Sequence, residues 1–229
     1  AQRGQQVLLI DADAQGHATW SLGMDKEPGL YNLLVRSEQH TIADVIREVP
    51  AAVYAQGDND GHLYLLPGNG ETRLIVEADI EHTLLRDKLA EVQSGIDVVI
   101  IDTPPTPSMF MTLIYAATQY VIVPTQAEAL SINGMLATTQ RAQRADATVL
   151  GIVPNLYEQS TELHRHNLKV LVEAAQQRGW RLWSPIRKGT AWREASQARR
   201  TVFNLLPKSQ AAADGWRLVD RVSEALANA

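Results

Sequence analysis

Val7–Thr19, VLLIDADAQGHAT, decides how the rest of the chain is read. Val7-Leu8-Leu9-Ile10 is a continuous apolar run, the pattern of a strand buried on both faces. It stops at two carboxylates, Asp11 and Asp13, followed by Gln15 and Gly16. Open α/β sheets bind their ligands at the carboxyl ends of strands. Carboxylates in that place suit a hydrated divalent cation, or a water held for attack on phosphate. They suit equally well the plainer task of capping the element that follows.

A second stretch separates these readings. Asp97–Pro105, DVVIIDTPP, is another apolar strand with a carboxylate, Asp102, at its carboxyl end. An apolar strand closing on Asp is the Walker B arrangement, in which the carboxylate holds the Mg²⁺ water shell beside a nucleotide's phosphates. The two stretches, about ninety residues apart, together resemble the ParA/MinD family of P-loop ATPases. There the first is usually written around DxDPQG and the second as four apolar residues and DxPP. Ala14 stands where the family usually has proline, which loosens the turn without removing chemistry. The resemblance runs from residue 1 to about residue 206.

One feature of the family is missing. Its phosphate loop, KGGxGKT, lies about twenty residues before the DxDPQG strand, and this sequence contains no G-x-x-x-x-G-K-[ST]. Only Ala1–Gln6 precede Val7, and AQRGQQ resembles the end of the helix that follows that loop. The expectation is a truncated chain. The alternative is a protein that has lost the loop and binds no ATP. By resemblance the missing first strand belongs in the middle of the sheet, so its absence would leave neighbouring strands without partners.

The 229 residues suit a single domain, here a ParA-like ATPase domain spanning 1–229. Hydrophobic content of 45% and charged content of 21% are those of a soluble globular protein. No apolar run approaches the ~20 residues that span a bilayer; no membrane partner is expected, and the localisation read is cytoplasmic, which the absence of cysteine fits. There are no cysteines, which excludes disulfides, thiolate metal sites and the cluster-carrying relatives of the family. Net charge is −5, unevenly spread: residues 178–221 hold ten Lys/Arg against three Asp/Glu. A segregated basic segment meets nucleic acid or another anionic surface, or is simply a solvated helix face.

Strands are expected near 7–10, 63–66, 97–101, 120–124, 149–153 and 181–186, alternating with helical stretches. That order predicts an α/β fold, a mostly parallel sheet with helices on both faces. Thr41–Asp44 reads as a capping box, and Thr19 and Ser21 read as caps in preference to phosphate contacts. Leu84, Leu85, Lys88, Leu89 and Val92 share one helical face. Helices are expected over 108–117 and 129–145, and Trp216, Val219, Val222 and Leu226 form a core stripe on the last helix. Gly57–Gly61 lacks the distal glutamate of a calcium loop. His164 and His166 point to different faces, not to a shared metal.

The resemblance assigns roles to particular residues. ATP and Mg²⁺ are the implied cofactors. Asp13 would orient the attacking water, Asp11 would support the metal shell or the loop, and Asp102 would hold Mg²⁺ through water. Gln15, Gly16, Pro104, Asn155 and Pro185 would contact the nucleotide, with the Thr103-Pro104-Pro105 turn against the γ-phosphate and Asn155 on adenine. An amide suits that last task because it both donates and accepts. Gln126–Leu130 would face the second copy of an ATP-dependent homodimer. Arg187, Lys188, Arg193, Arg199 and Arg200 would contact non-specific DNA, and a partner protein would stimulate hydrolysis. The implied function is a plasmid or chromosome partition switch. The alternatives are a MinD-like positioning ATPase acting at a membrane or protein complex, which Asp220 and Glu224 in the last helix disfavour, and a nucleotide-dead interaction module.

Overall fold

The structure is a computed structural model that describes residues 1–57, 60–104, 109–128 and 131–229, the side chains of Ile132 and Asn133 excepted. The chain divides into two compact units, Ala1–Ala117 with Arg193–Leu206, and Thr118–Trp192 with Pro207–Ala229.

The first unit is built on β1 (Val7–Asp11), β3 (Leu63–Leu66) and β4 (Val98–Asp102). They pair in parallel, with β1 in the middle. A two-residue strand, β2 (Arg47–Glu48), adds antiparallel to β3 and was not legible in the sequence, being too short for a periodic signal. Along β1 and β3 side chains alternate between the two faces of the sheet. Leu8, Ile10 and Leu66 pack with Leu30, Leu33, Leu85 and Phe110. These come from α2 (Leu30–Val35), α5 (Leu84–Ala90) and α6 (Phe110–Ala116). Leu9, Leu63 and Leu65 pack on the opposite face with Leu22, Val49 and Tyr54. Tyr54 ends α4 (Ala51–Tyr54). A sheet covered on both faces explains the unbroken apolar run of β1.

The expected helical face holds: Leu85 is fully buried and Leu84, Leu89 and Val92 pack beside it. Thr41 and Asp44 form the predicted capping box at α3 (Ile42–Val45), with Thr41 N–H and Oγ1 both donating to Asp44 at 2.7 Å. Ala1–Gln6 is a turn and not the helix end expected, with Gly4 N–H bonded to Ala1 O. The segment 193–206 returns to this unit, where Thr201 N–H donates to Val53 O at 2.9 Å. The outer edge of β4 has no ladder partner among the described residues, and Val99 and Ile100 are exposed.

The second unit pairs β5 (Tyr120–Gln126) in parallel with β6 (Thr148–Asn155). Its core sets Val123, Met135, Ile152 and Leu171 together, drawing on α7 (Ser131–Arg144) and α8 (Glu162–Gln177). The other edge of β5 is unpaired among the described residues, with Tyr120 and Ile122 exposed. The strand expected at 181–186 is reduced to two isolated parallel bridges, Ile152 to Leu182 and Tyr157 to Arg187. Pro154 and Pro185 lack the N–H groups a continuous ladder needs. The last helix, α11 (Gln210–Ala227), packs Leu218, Val222, Ala225 and Leu226 against Trp183. Leu218 and Ala225 thus join Val222 and Leu226 in that core; Leu218, like Trp216 and Val219, is half-buried. Gly151 lets the Trp183 ring lie close to β6, since a Cβ there would be 2.4 Å from the ring and would force it to shift.

Candidate functional site

The parallel register sets Asp11 opposite Asp102, so β1 and β4 end level with each other. Ala12 N–H donates to Asp102 O at 2.8 Å and ties the two strand ends together. Beyond Asp11 the chain turns through Gly16, at φ 61°, into α1 (His17–Ser21). That left-handed conformation favours glycine.

Asp11 is fully buried. Its Oδ2 accepts from both Thr19 N–H and Thr19 Oγ1 at 2.7 Å, and its Oδ1 from Asp13 N–H at 3.3 Å. Asp11 thus caps α1 from a distance, satisfying an N–H of the helix's first turn that has no partner within the helix. Thr19, expected as a cap, is instead the buried partner of this carboxylate. Its hydroxyl also accepts from Gly68 N–H at 3.1 Å. A Cβ on Gly68 would lie 2.4 Å from Asp11 O and 2.8 Å from Asp13 O. Only glycine lets the loop after β3 approach so closely.

Asp13 is half-buried, and its Oδ1 makes one bond, accepting from Gln15 N–H at 3.0 Å. Gln15 O accepts from Lys26 Nζ at 2.7 Å. Asp102 stands above the usual carboxylate range. Loss of water around its carboxyl is the first cause, and the neighbouring charges of Asp11 and then Asp13 add to it. His17 and the Thr103 N–H oppose the shift. Three carboxylates that repel one another at aligned strand ends are a site a cation would relieve, and oxygen donors suit Mg²⁺. Among the described residues no three His, Cys, Asp or Glu side chains are placed to hold a metal directly. With Asp11 spent on Thr19, the donor set fits a cation held through its water shell.

The remaining expected residues fall in several places. Pro104 follows β4, and Pro105 lies outside the described residues. Ala129 and Leu130 of the expected dimer segment, and Asp58 and Asn59 of the rejected calcium loop, also lie outside them. Asn155 ends β6 opposite Gln126, and its Oδ1 accepts from Leu156 N–H at 2.9 Å. Pro185 lies in the second unit between the two isolated bridges. His164 Nδ1 accepts from Glu158 N–H at 3.0 Å, and His166 is exposed.

The five basic residues divide between the units. Arg193, Arg199 and Arg200 are exposed in the first. Arg199, at φ 53°, lies over the ring of the exposed Trp20, and Arg200 Nε donates to Asn204. In the second unit Lys188 pairs with Glu158 at 2.5 Å. Arg187 donates through Nε and Nη2 to the buried Asp214 at 2.9 and 2.6 Å. Burial opposes ionisation of Asp214, but the bonds and charge of Arg187, joined by Arg217, hold its carboxyl below the ordinary range. Sequence reading missed Asp214, Gly68 and Lys26. Nothing in the residues after Leu66 names the strand that Gly68 approaches.

A family model described as an AAA domain matches residues 1–152. The chromosome-partitioning ATPase Soj of Thermus thermophilus is 30% identical over 97% of this chain and 85% of its own. The solved structure of apo McdA from Cyanothece superposes with a TM-score of 0.77 at 21% identity, over 97% of this chain and 88% of that one. MinD from Pyrococcus horikoshii complexed with Mg-ADP gives a TM-score of 0.75 at 21% identity, over 96% and 84%. The two structures establish the shared fold, and the family model with the Soj match establishes kinship. The paired strand-end carboxylates of β1 and β4, the parallel order around them and these matches make this chain a member of the ParA/MinD family of P-loop ATPases.

Proposed function

We propose that this protein is an ATP-dependent switch for partition or positioning, folded as one ParA-like domain, which hydrolyses ATP and binds DNA non-specifically as an ATP-bound homodimer. The observation that carries the reading is the register of β1 and β4, which levels Asp11 with Asp102 and holds Asp13 at the same end. Asp13, whose carboxylate makes a single local bond, orients the attacking water. Asp102 holds the water shell of Mg²⁺, and the cation when bound supplies charge compensation for the phosphates. Asp11 fixes the loop that carries Asp13, so most of the catalysis is positioning. In the first unit Gln15, Gly16 and Pro104 form nucleotide contacts; for Asn155 and Pro185, in the second unit, the same role rests on the family resemblance. The kinship with Soj supports partition as the task, and the Mg-ADP bound by the archaeal MinD supports the cofactor pair.

Exposed Arg193, Arg199 and Arg200 supply the DNA contacts, with Lys188 and Arg187 drawing on residues already engaged with Glu158 and Asp214. Among the described residues no helix is long and apolar enough to cross a membrane. The kinship with Soj supports a cytoplasmic setting, in which a partner protein stimulates hydrolysis. Residues 1–229 include no phosphate-loop lysine, so turnover is to be measured on protein translated from the complete gene. The test is ATP hydrolysis with and without duplex DNA, beside Asp13→Ala. Slow turnover that DNA or a partner accelerates, abolished by Asp13→Ala while ATP still binds, is the expected result. DNA affinity should fall steeply with salt. A complete protein that binds no ATP would refute the switch and leave an interaction module.

A further inference from the structure

The second unit ends in an edge that nothing in the nucleotide reading uses. The segment Arg181–Trp183 lies beside β6, with Ile152 N–H donating to Arg181 O at 2.8 Å and Trp183 N–H to Ile152 O at 2.9 Å. In a parallel bridge those groups point inward, so the peptide groups of Leu182 point away from β6. Leu182 N–H has no hydrogen-bond partner among the described residues. Arg181–Ser184 and the last turns of α11 together line an open recess of about 450 Å³. Its polar lining is Arg181, Ser184, Arg221, Glu224 and Asn228.

An uncovered strand edge is a template for another strand. The charges around it select which. Arg181 makes no ion pair or side-chain hydrogen bond among the described residues. Among the described residues Arg221 has an exposed pair with Glu224 at 2.8 Å, a contact of little net strength that another carboxylate can replace. Guanidinium groups bind carboxylates in forked pairs. A phosphate can accept from Leu182 N–H but has no N–H to give Leu182 O, whereas an extended peptide supplies both.

We propose that the Arg181–Ser184 edge is a docking site for an extended, carboxylate-rich segment of a partner protein. The segment adds as a strand on Leu182 while alternate acidic side chains meet Arg181 and Arg221. Backbone bonds supply affinity and the two arginines supply selectivity. This goes beyond the nucleotide site and does not depend on it, since every residue involved lies in the second unit.

The test uses the full chain and a blocked five-residue peptide alternating glutamate and valine. Binding is followed by NMR, together with hydrogen exchange at the Leu182 amide. The expected result is saturable binding that slows exchange at Leu182 about tenfold or more. Arg181→Ala and Arg221→Ala, both at exposed side chains, should each weaken binding about fivefold to tenfold. A peptide N-methylated at alternate positions, or one with lysine for glutamate, should not bind. The proposal is overturned if the acidic peptide does not bind, or binds without protecting Leu182. It is overturned equally if duplex DNA or inorganic phosphate protects that amide as well as the peptide does. Should one arginine variant fail to fold, the other variant and the methylated peptide still decide the matter.

Discussion

Asp11 and Asp13 look interchangeable in the sequence, but the structure gives them separable costs. Asp11 is fully buried and anchors Thr19 N–H and Oγ1 at 2.7 Å each. Asp11→Ala leaves both donors without that acceptor inside the protein. A buried unsatisfied donor costs about 1–3 kcal/mol, and bonds to a charged acceptor lie in the upper half of that range. Removing Asp11 also relieves Asp102 of a repelling charge, which offsets part of the loss. The expected cost is about 3 kcal/mol, a large share of the ~5–15 kcal/mol that holds a domain folded. Asp13→Ala removes one exposed bond, to Gln15 N–H, and should cost under about 1 kcal/mol. Urea denaturation of both variants, followed by circular dichroism and compared at equal m-value, measures the difference. Equal destabilisation by the two variants, or a cost below about 1 kcal/mol for Asp11→Ala, would refute the assignment of Asp11 to positioning.

Two further expectations concern the second unit. Asp214→Ala leaves the half-buried Arg187 guanidinium without its partner, and should cost about 3 kcal/mol at pH 7. Because the folded carboxyl lies below its unfolded value, the contribution is complete above the unfolded pKa of about 3.9 and is lost as pH falls through the folded value. The gap between the two proteins in urea denaturation should therefore close in acid, and a gap that stays constant to pH 2 would contradict the ion pair. Gly151→Ala drives a methyl into the Trp183 ring at 2.4 Å. It should destabilise by about 1–3 kcal/mol and change the near-ultraviolet dichroism of tryptophan, whereas an unchanged spectrum and midpoint would show that the ring moves freely aside.

The strands announced themselves by unbroken apolar runs: burial on both faces explains the run in Val7–Ile10, and Val98–Ile101 carries the same pattern although Val99 and Ile100 are exposed. The capping box at Thr41 was equally plain, since it depends on residues three apart. Local chemistry of that kind is written in the order of the chain. The segment 181–186 misled for a related reason. Its composition is that of a strand, but whether a strand forms depends on a neighbour's donors, and Pro154 removes one.

By itself the sequence determined the fold class, the family and the three carboxylates at the strand ends, because apolar periodicity and a short acidic motif are local properties. Which of those carboxylates is spent on structure was decided only by tertiary packing. Thr19 reaches Asp11 because α1 folds back over β1, and Gly68 reaches Thr19 from a strand more than forty residues away. The basic segment was likewise a single run of charge in sequence. The fold sends Arg193, Arg199 and Arg200 to one unit, and buries Asp214 beside Arg187 in the other. A side chain's charge is fixed by its identity, but its availability depends on what distant residues the folded chain brings to meet it.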